Sequence, residues 1–355
     1  MPEYLTRNYI RDLSGSRVSS RAGFFKNNPS IFFIIKIIVI FVANMTDNLL
    51  FNYKLKKMNS KKFLVLVALL CTGMLAQAQV KLSFNPEKGA TYSYRFNTDQ
   101  SIKQTFNGQT IPVNTTVEML MEMNVKEKSE EEVSVDYSYK EMVMNVSNPM
   151  MNIKYDSKTG IDSSSVQGKL IAGFFNSLIG KTMNVILKPD GSVKSISGFN
   201  AILEDIQKNT ASDNPAAQPM INGFLQAFNE DAMKRMFEQS FKMYPDKEVN
   251  VGDSWNSDMS FTVAGMNSNI KNTYTLQSVS NGIALIEQVS DINIKPGAGM
   301  DGELTGNQKG EISLDVKTGL PVKSTATQST KGKLNIQGTE VLMDMTTEMT
   351  FSLIK

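Results

Sequence analysis

The sequence predicts a mainly β protein with a helical segment: a large curved antiparallel sheet or open half-barrel, built as two related β halves and covered by helices. Three observations carry this expectation. Apolar and polar residues alternate with a period of two over long runs. Turn-forming dipeptides such as Asn281-Gly282 separate the runs. Helical periodicity is confined to one stretch, about residues 167–243.

Along the chain, residues 1–57 come first and hold the hydrophobic run Ile31–Ala43, broken by Lys36. That run reads either as an anchor helix or as part of an extension upstream of the true start. The segment after it favours the extension. From Met58, Met-Asn-Ser-Lys-Lys is a short cationic region, Phe63–Cys71 an apolar core and Ala76-Gln77-Ala78 an A-x-A cleavage site, which is the grammar of a secretory signal peptide. The apolar core is far shorter than the ~20 residues a spanning helix needs. Cys71 follows Leu69 and Leu70, where lipoprotein signals place a small residue, so lipidation is not expected. The expected organisation is a non-native N-terminal extension over 1–57, a signal peptide over 58–78 and an exported β-rich domain over 79–355. That domain would be periplasmic or at the cell surface, with no transmembrane span.

Removing the leader changes the charge. Residues 1–78 carry 11 of the 37 basic and 3 of the 35 acidic residues, which leaves a net charge of −6 on residues 79–355. A mildly acidic chain without a basic patch lacks the electrostatic footprint of a nucleic-acid binder. The single cysteine, Cys71, lies in the signal, so the exported part has no disulfide and no thiol chemistry. The sequence has no histidine, which excludes Ser-His and Cys-His nucleophile pairs, an imidazole base and His-ligated metal sites. Paired carboxylates or a Ser-Lys pair would survive that test, but nothing in the spacing points to them. There is also no Gly-rich phosphate loop and no nucleophile elbow. Neither enzymatic activity nor a cofactor is expected.

In the exported part, Tyr92, Tyr94 and Phe96 alternate with Thr91, Ser93 and Arg95, and Val117, Met119, Met121, Met123 and Val125 with Glu118, Glu122 and Lys126. Val133, Val135, Tyr137 and Tyr139 alternate with Ser134, Asp136 and Lys140. Val341, Met343, Met345, Met349, Phe351 and Leu353 oppose Asp344, Thr346 and Glu348. Each run has one wet and one buried face, as antiparallel strands do, and the longest should bend at bulges. Glu127–Glu132, Asp190-Gly191, Asn281-Gly282 and Lys317-Thr318-Gly319 supply hairpin turns, so successive strands should pair as a meander. Asp156–Asp162 has oxygen ligands and a glycine but lacks calcium-loop spacing, and reads as a plain turn.

Helical spacing appears in Leu170, Phe174, Phe175, Leu178 and Ile179, in Phe199–Lys208, in Met220–Phe228 and in Asp231–Phe241, with a loop over Thr210–Pro219. Two further similarities suggest an internal repeat. Lys88-Gly89-Ala90-Thr91-Tyr92 matches Val251-Gly252-Asp253-Ser254-Trp255, and Ile186–Ser195 resembles Ile312–Ser324, both ending in Val-Lys-Ser. Tyr92 and Trp255 read as packing anchors.

Methionine stands out, with 18 of the 22 beyond residue 78. Met119, Met121 and Met123 fit three readings: core filler, the lining of a cavity for apolar ligands, or a soft Cu(I) site. Their alternation with charge favours the first, as core residues show it. The stripes containing Phe224, Phe228, Met236, Phe237 and Phe241 are core or a lid over an apolar groove. These eight residues form the candidate ligand-binding set; no catalytic or metal-binding residue is assigned.

Through Gly-Asp-Ser-Trp at 252–255, Lys-Gly-Ala-Thr-Tyr at 88–92 and Ala-Gln-Ala-Gln at 76–79, the chain resembles a family of secreted bacterial proteins known only as a domain of unknown function. The resemblance spans about Val80 to Lys355 and implies no activity. The expected architecture is also similar to that of periplasmic lipoprotein carriers, which implies a lipid as partner. The expected function is therefore an exported non-catalytic protein that binds an apolar ligand or lipid in a Met-rich interior. The alternative is a structural or protein-interaction component of the cell envelope, with a filled core and an envelope protein as partner.

Overall fold

The computed structural model describes residues 79–354 apart from 163–164, 211–221, 223–229, 242, 264–265, 298–300 and 337. The expected extension, the signal peptide and all of the Met220–Phe228 helix but Asn222 lie outside these residues. The strands are β1 (Thr91–Phe106), β2 (Gln109–Lys128), β3 (Val133–Asn148), β4 (Met151–Asp156), β5 (Gly160–Asp162), β6 (Thr182–Leu187), β7 (Val193–Ser197), β8 (Ser254–Val263), β9 (Met266–Ser280), β10 (Ile283–Pro296), β11 (Asp301–Asp315), β12 (Pro321–Ile336) and β13 (Thr339–Leu353). The helices among the described residues are α1 (Val166–Leu178), α2 (Phe199–Thr210) and α3 (Glu230–Phe241). All 13 strands belong to one antiparallel sheet, ordered β5-β4-β3-β2-β1-β13-β12-β11-β10-β9-β8, with β6 between β3 and β7. The sheet is open, with β5 and β8 at the two ends of its main order.

Two meanders meet at its centre, where β1 pairs with β13. Asn281 and Gly282 both take positive φ angles, 52° and 78°, and join β9 to β10 in a two-residue hairpin, because only that handedness matches the strand twist. The same chemistry at Asn107-Gly108 joins β1 to β2. Bulges interrupt the register at Leu120/Met121, Leu285/Ile286 and Ser313/Leu314, where the long strands bend.

The two segments of the suspected repeat make the same hydrogen bonds. Gly89 donates its N–H to the Val125 carbonyl and Val125 donates to the Ala90 carbonyl; Gly252 donates to Leu276 and Leu276 to Asp253. In both halves a positive-φ glycine opens the edge of a hairpin. Chain running from Val80 to Asn85 ties the halves together. It bridges to Val249, and its Phe84 and Asn85 N–H groups donate to the Pro189 and Thr318 carbonyls of the two matching turns.

The faces of the sheet differ sharply. The outer face carries Arg95, Lys103, Glu348, Lys331, Glu303, Lys271 and other charged or hydroxylic residues, mostly exposed. Ion pairs such as Lys331–Asp344 (3.0 Å) sit there in water and contribute about 1 kcal/mol or less each. The inner face carries the core. In its main cluster Tyr94, Met121, Met123, Val133, Val135, Met183 and Val185 are packed with Ile202 and Ile206 of α2 and Met233 and Phe237 of α3. A second cluster holds Leu82, Tyr274, Leu276, Ile286 and Leu314. In α1, Gly173 lets α2 approach; a Cβ there would lie 2.5 Å from the Asn209 carbonyl oxygen.

The sheet curls strongly toward this face. Met123 of β2 and Met259 of β8 line one cavity, yet seven strand steps separate them, which in a flat sheet would be roughly 34 Å. Part of the bend lies at β11–β12. At Gly306 and Gly332 a Cβ would sit 2.0 and 2.1 Å from carbonyl oxygens of the facing strand, so only glycine permits that approach.

Register also shows a feature that alternation alone does not. On the inner face, at one level across adjacent strands, stand Ser257, Asn272, Ser290, Gln308, Gln328, Thr347, Gln100 and Thr115. An unbroken row of uncharged polar side chains thus crosses β8 to β2, flanked by Trp255 and Met259 on β8 and by Tyr274 and Ile270 on β9.

Candidate functional site

The cavity enclosed by the curl measures about 490 Å³, within the roughly 300–1,000 Å³ of small-molecule sites. Each wall follows from a strand face or a helix stripe. β1 and β13 supply Tyr94, Phe96 and Phe351; β2 supplies Met119, Met121 and Met123; β3 supplies Tyr137 and Tyr139. These are the apolar halves of the alternating runs, brought side by side by the pairings Phe96↔Met119, Met121↔Tyr139 and Met123↔Tyr137. Phe237 and Phe241, one turn apart on α3, line the cavity from the helix side, together with Met243 and Tyr244 just after the helix. Ring contacts fix these side chains: Phe237 meets Tyr137 edge-on at 5.2 Å and Phe241 meets Phe84 at 5.0 Å.

The opposite wall is different. Asn272, Gln288, Gln308 and Ser324 line it beside Met259, Ile270, Tyr274 and Ile312. Asn272 is 1 % exposed. Its Oδ1 accepts from Ser290 Oγ (2.6 Å) and Gln288 Nε2 (3.1 Å), while its Nδ2 donates to the Ser257 carbonyl (3.0 Å). Among the described residues the Gln308 side chain has no hydrogen-bond partner. Neither does the hydroxyl of Tyr94, a residue 3 % exposed whose ring stacks on Phe351 at 4.6 Å.

The tyrosines record how dry the region is. Burial pushes the Tyr139 and Tyr274 phenols up to about 12, and raises those of Tyr94, Tyr137 and Tyr244 further. Tyr137 and Tyr139 are half-buried and line the cavity. Tyr137 OH donates to Met121 Sδ (3.3 Å) and Tyr244 OH to the Gly319 carbonyl (2.7 Å). Acid–base work near neutral pH is not what such neutral phenols offer.

The structure therefore gathers Met119, Met121, Met123, Phe237 and Phe241 of the candidate set at one cavity. Phe224, Phe228 and the side chain of Met236 lie outside the described residues. Tyr94, Tyr137 and Tyr139 join the site although their runs read only as buried strand faces; Tyr244 joins it unforeseen, and so do the amides Asn272, Gln288 and Gln308. Their signal lies in register, since only the Asn281-Gly282 turn fixes which β9 and β10 residues face inward. No cluster of three metal-ligating acidic side chains occurs among the described residues. The Asp156–Gly160 segment is a plain turn in which Asp156 Oδ1 accepts the Lys158 N–H. Trp255 is a packing anchor that donates its indole N–H to the Met243 carbonyl (2.9 Å) and stacks on Tyr274.

A second, more apolar cavity of about 430 Å³ lies between α1 and β3–β4, lined by Met144, Ile153, Leu170, Phe174 and Phe175 among others. No described helix is long and apolar enough to cross a membrane.

No curated protein matches the chain. Among solved structures it is similar to lipovitellin, in a structure concerned with its lipid–protein interactions, at 8 % identity and a TM-score of 0.44 over 76 % of this chain; the match spans 25 % of that chain, about a quarter of its length. It is also similar to an outer membrane channel from Pseudomonas putida F1, at 9 % identity and a TM-score of 0.25, over 76 % of this chain and 96 % of that one. A third likeness is to the β domain of the Bordetella autotransporter BrkA, at 5 % identity and a TM-score of 0.22, over 73 % of this chain and 98 % of that one. A family model matches residues 130–321, more than half of the chain, so the protein belongs to the family of unknown function DUF6263.

Proposed function

We propose that this chain is an exported, non-catalytic binding protein that holds an apolar small molecule or lipid in the cavity beneath α3. One observation carries the reading: a methionine- and aromatic-lined space of about 490 Å³ remains inside the curl of the sheet, where a protein that only needed a core would fill it. Methionine suits such a wall because its unbranched thioether adapts to ligands of varied shape. The charged outer face and the signal-like segment at 58–78 support a water-filled compartment outside the cytoplasm.

Native mass spectrometry of gently purified protein tests this. A reproducible adduct that organic extraction identifies as a lipid or other apolar molecule is the expected result. Absence of any adduct, together with failure of the purified chain to take up an apolar dye, would overturn the reading and favour an envelope component with a protein partner.

A further inference from the structure

We propose that the ligand of the α3-covered cavity is an uncharged amphiphile: a hydrocarbon chain or ring system with a hydroxyl, ester or amide head. The chain lies against Met119, Met121 and Phe237, and the head meets Gln308 and its neighbours in the polar row. This deepens the proposed function and rests on the cavity being a binding site.

The charge of the head follows from what the wall lacks and what it offers. No Asp, Glu, Lys or Arg is among the described lining residues. A carboxylate, phosphate or ammonium moved there would give up water without gaining a counter-ion, which is strongly unfavourable. A pure hydrocarbon fits little better. The Gln308 amide, which lines the cavity, has no hydrogen-bond partner among the described residues, and a ligand without polar atoms would leave it unpaired at an energetic cost. Amides and phenols donate and accept, so they complement carbonyl and hydroxyl groups that carry no charge.

The polar row makes this more than a scatter of side chains. Asn272 is locked by Ser290, Gln288 and the Ser257 carbonyl, so part of the row is rigid before any ligand arrives. Gln308 stands next to it in register, opposite Ser290 on β10 and Gln328 on β12. The head therefore meets a prearranged strip, while the tail runs toward the methionines.

Displacement of the neutral dye Nile red from the full, delipidated chain is the test, with monooleoylglycerol, oleic acid and oleylamine as competitors sharing one chain length. At mildly alkaline pH monooleoylglycerol should displace the dye on the order of tenfold better than oleate or oleylammonium. Oleic acid should gain as pH falls and its carboxyl takes up a proton. In Gln308→Leu, with each competitor scored against that variant's own dye affinity, the preference for monooleoylglycerol over oleate should shrink by a similar factor. Equal or better binding of oleate or oleylammonium, or no gain by oleic acid in acid, would overturn the uncharged head group while leaving the cavity as a binding site. Failure of Nile red and all three competitors to bind would instead overturn the binding site itself.

Discussion

Tyr94→Phe is the most informative single change, because it removes one oxygen and nothing else. The Tyr94 hydroxyl is buried and has no partner among the described residues, and an unpaired buried polar group costs about 1–3 kcal/mol. The ring keeps its stack on Phe351. The variant should therefore be more stable than the parent, by about 1 kcal/mol. Tyr244→Phe is the control with opposite sign. It deletes the 2.7 Å bond to the Gly319 carbonyl and leaves that carbonyl without its side-chain donor, a loss of about 1–2 kcal/mol. Urea unfolding followed by the fluorescence of Trp255, the one tryptophan of the chain, should show the two midpoints moving apart with unchanged slope. Equal destabilisation by both changes in delipidated protein would refute the reasoning, since the Tyr94 hydroxyl would then have a partner within the protein. If Tyr94→Phe is stabilising only after delipidation, the missing partner is the ligand.

Stability should fall in alkali. The folded phenols of Tyr139 and Tyr274 lie at about 12 against an ordinary value of 10. Between these values the unfolded chain loses protons that the folded one keeps, so stability falls as pH rises, by about 1.4 kcal/mol per unit for each such tyrosine; tyrosinate absorbance rising together with unfolding, rather than before it, checks this. Gly319→Ala should be far more damaging than Gly282→Ala in thermal melts. Both residues have positive φ, at a cost of about 1–2 kcal/mol, but only at Gly319 would the new Cβ meet a backbone oxygen, that of Ser83, at 1.8 Å. Met123→Ala, at a residue 1 % exposed, should cost about 2–5 kcal/mol, whereas Met150→Ala, at 79 % exposure, should change the urea midpoint hardly at all.

Where inner-face residues are apolar, the fold could be read from the sequence. The runs at Tyr92–Phe96, Val117–Val125 and Val133–Tyr139 alternate cleanly and are β1, β2 and β3. β11 and β12 gave no such signal. Their inner faces carry Gly306, Gln308, Gln328 and Thr330, which match the polarity of the outer faces, so no period of two survives. Asn107-Gly108 has the same turn chemistry as Asn281-Gly282, but Asp99, Gln100, Ser101, Lys103 and Gln104 before it, with Ile102 alone among them apolar, obscured the continuation of β1. The candidate site was half legible for the same reason. Its methionine and phenylalanine wall follows from periodicity, while the amide wall depends on pairing partners up to seven strands away.

The β1–β13 pairing has a kinetic consequence. The centre of the sheet is made from its earliest and latest strands, joined from Tyr94↔Leu353 to Thr105↔Leu342. A ribosome that has not yet released residue 339 holds two half-sheets whose longest edges are bare, and bare edges invite pairing with other chains. Contacts of such sequence separation also form slowly. The nascent protein must therefore stay unfolded or escorted until its last hairpin emerges, so a chain truncated before β13 should aggregate rather than leave a smaller working protein.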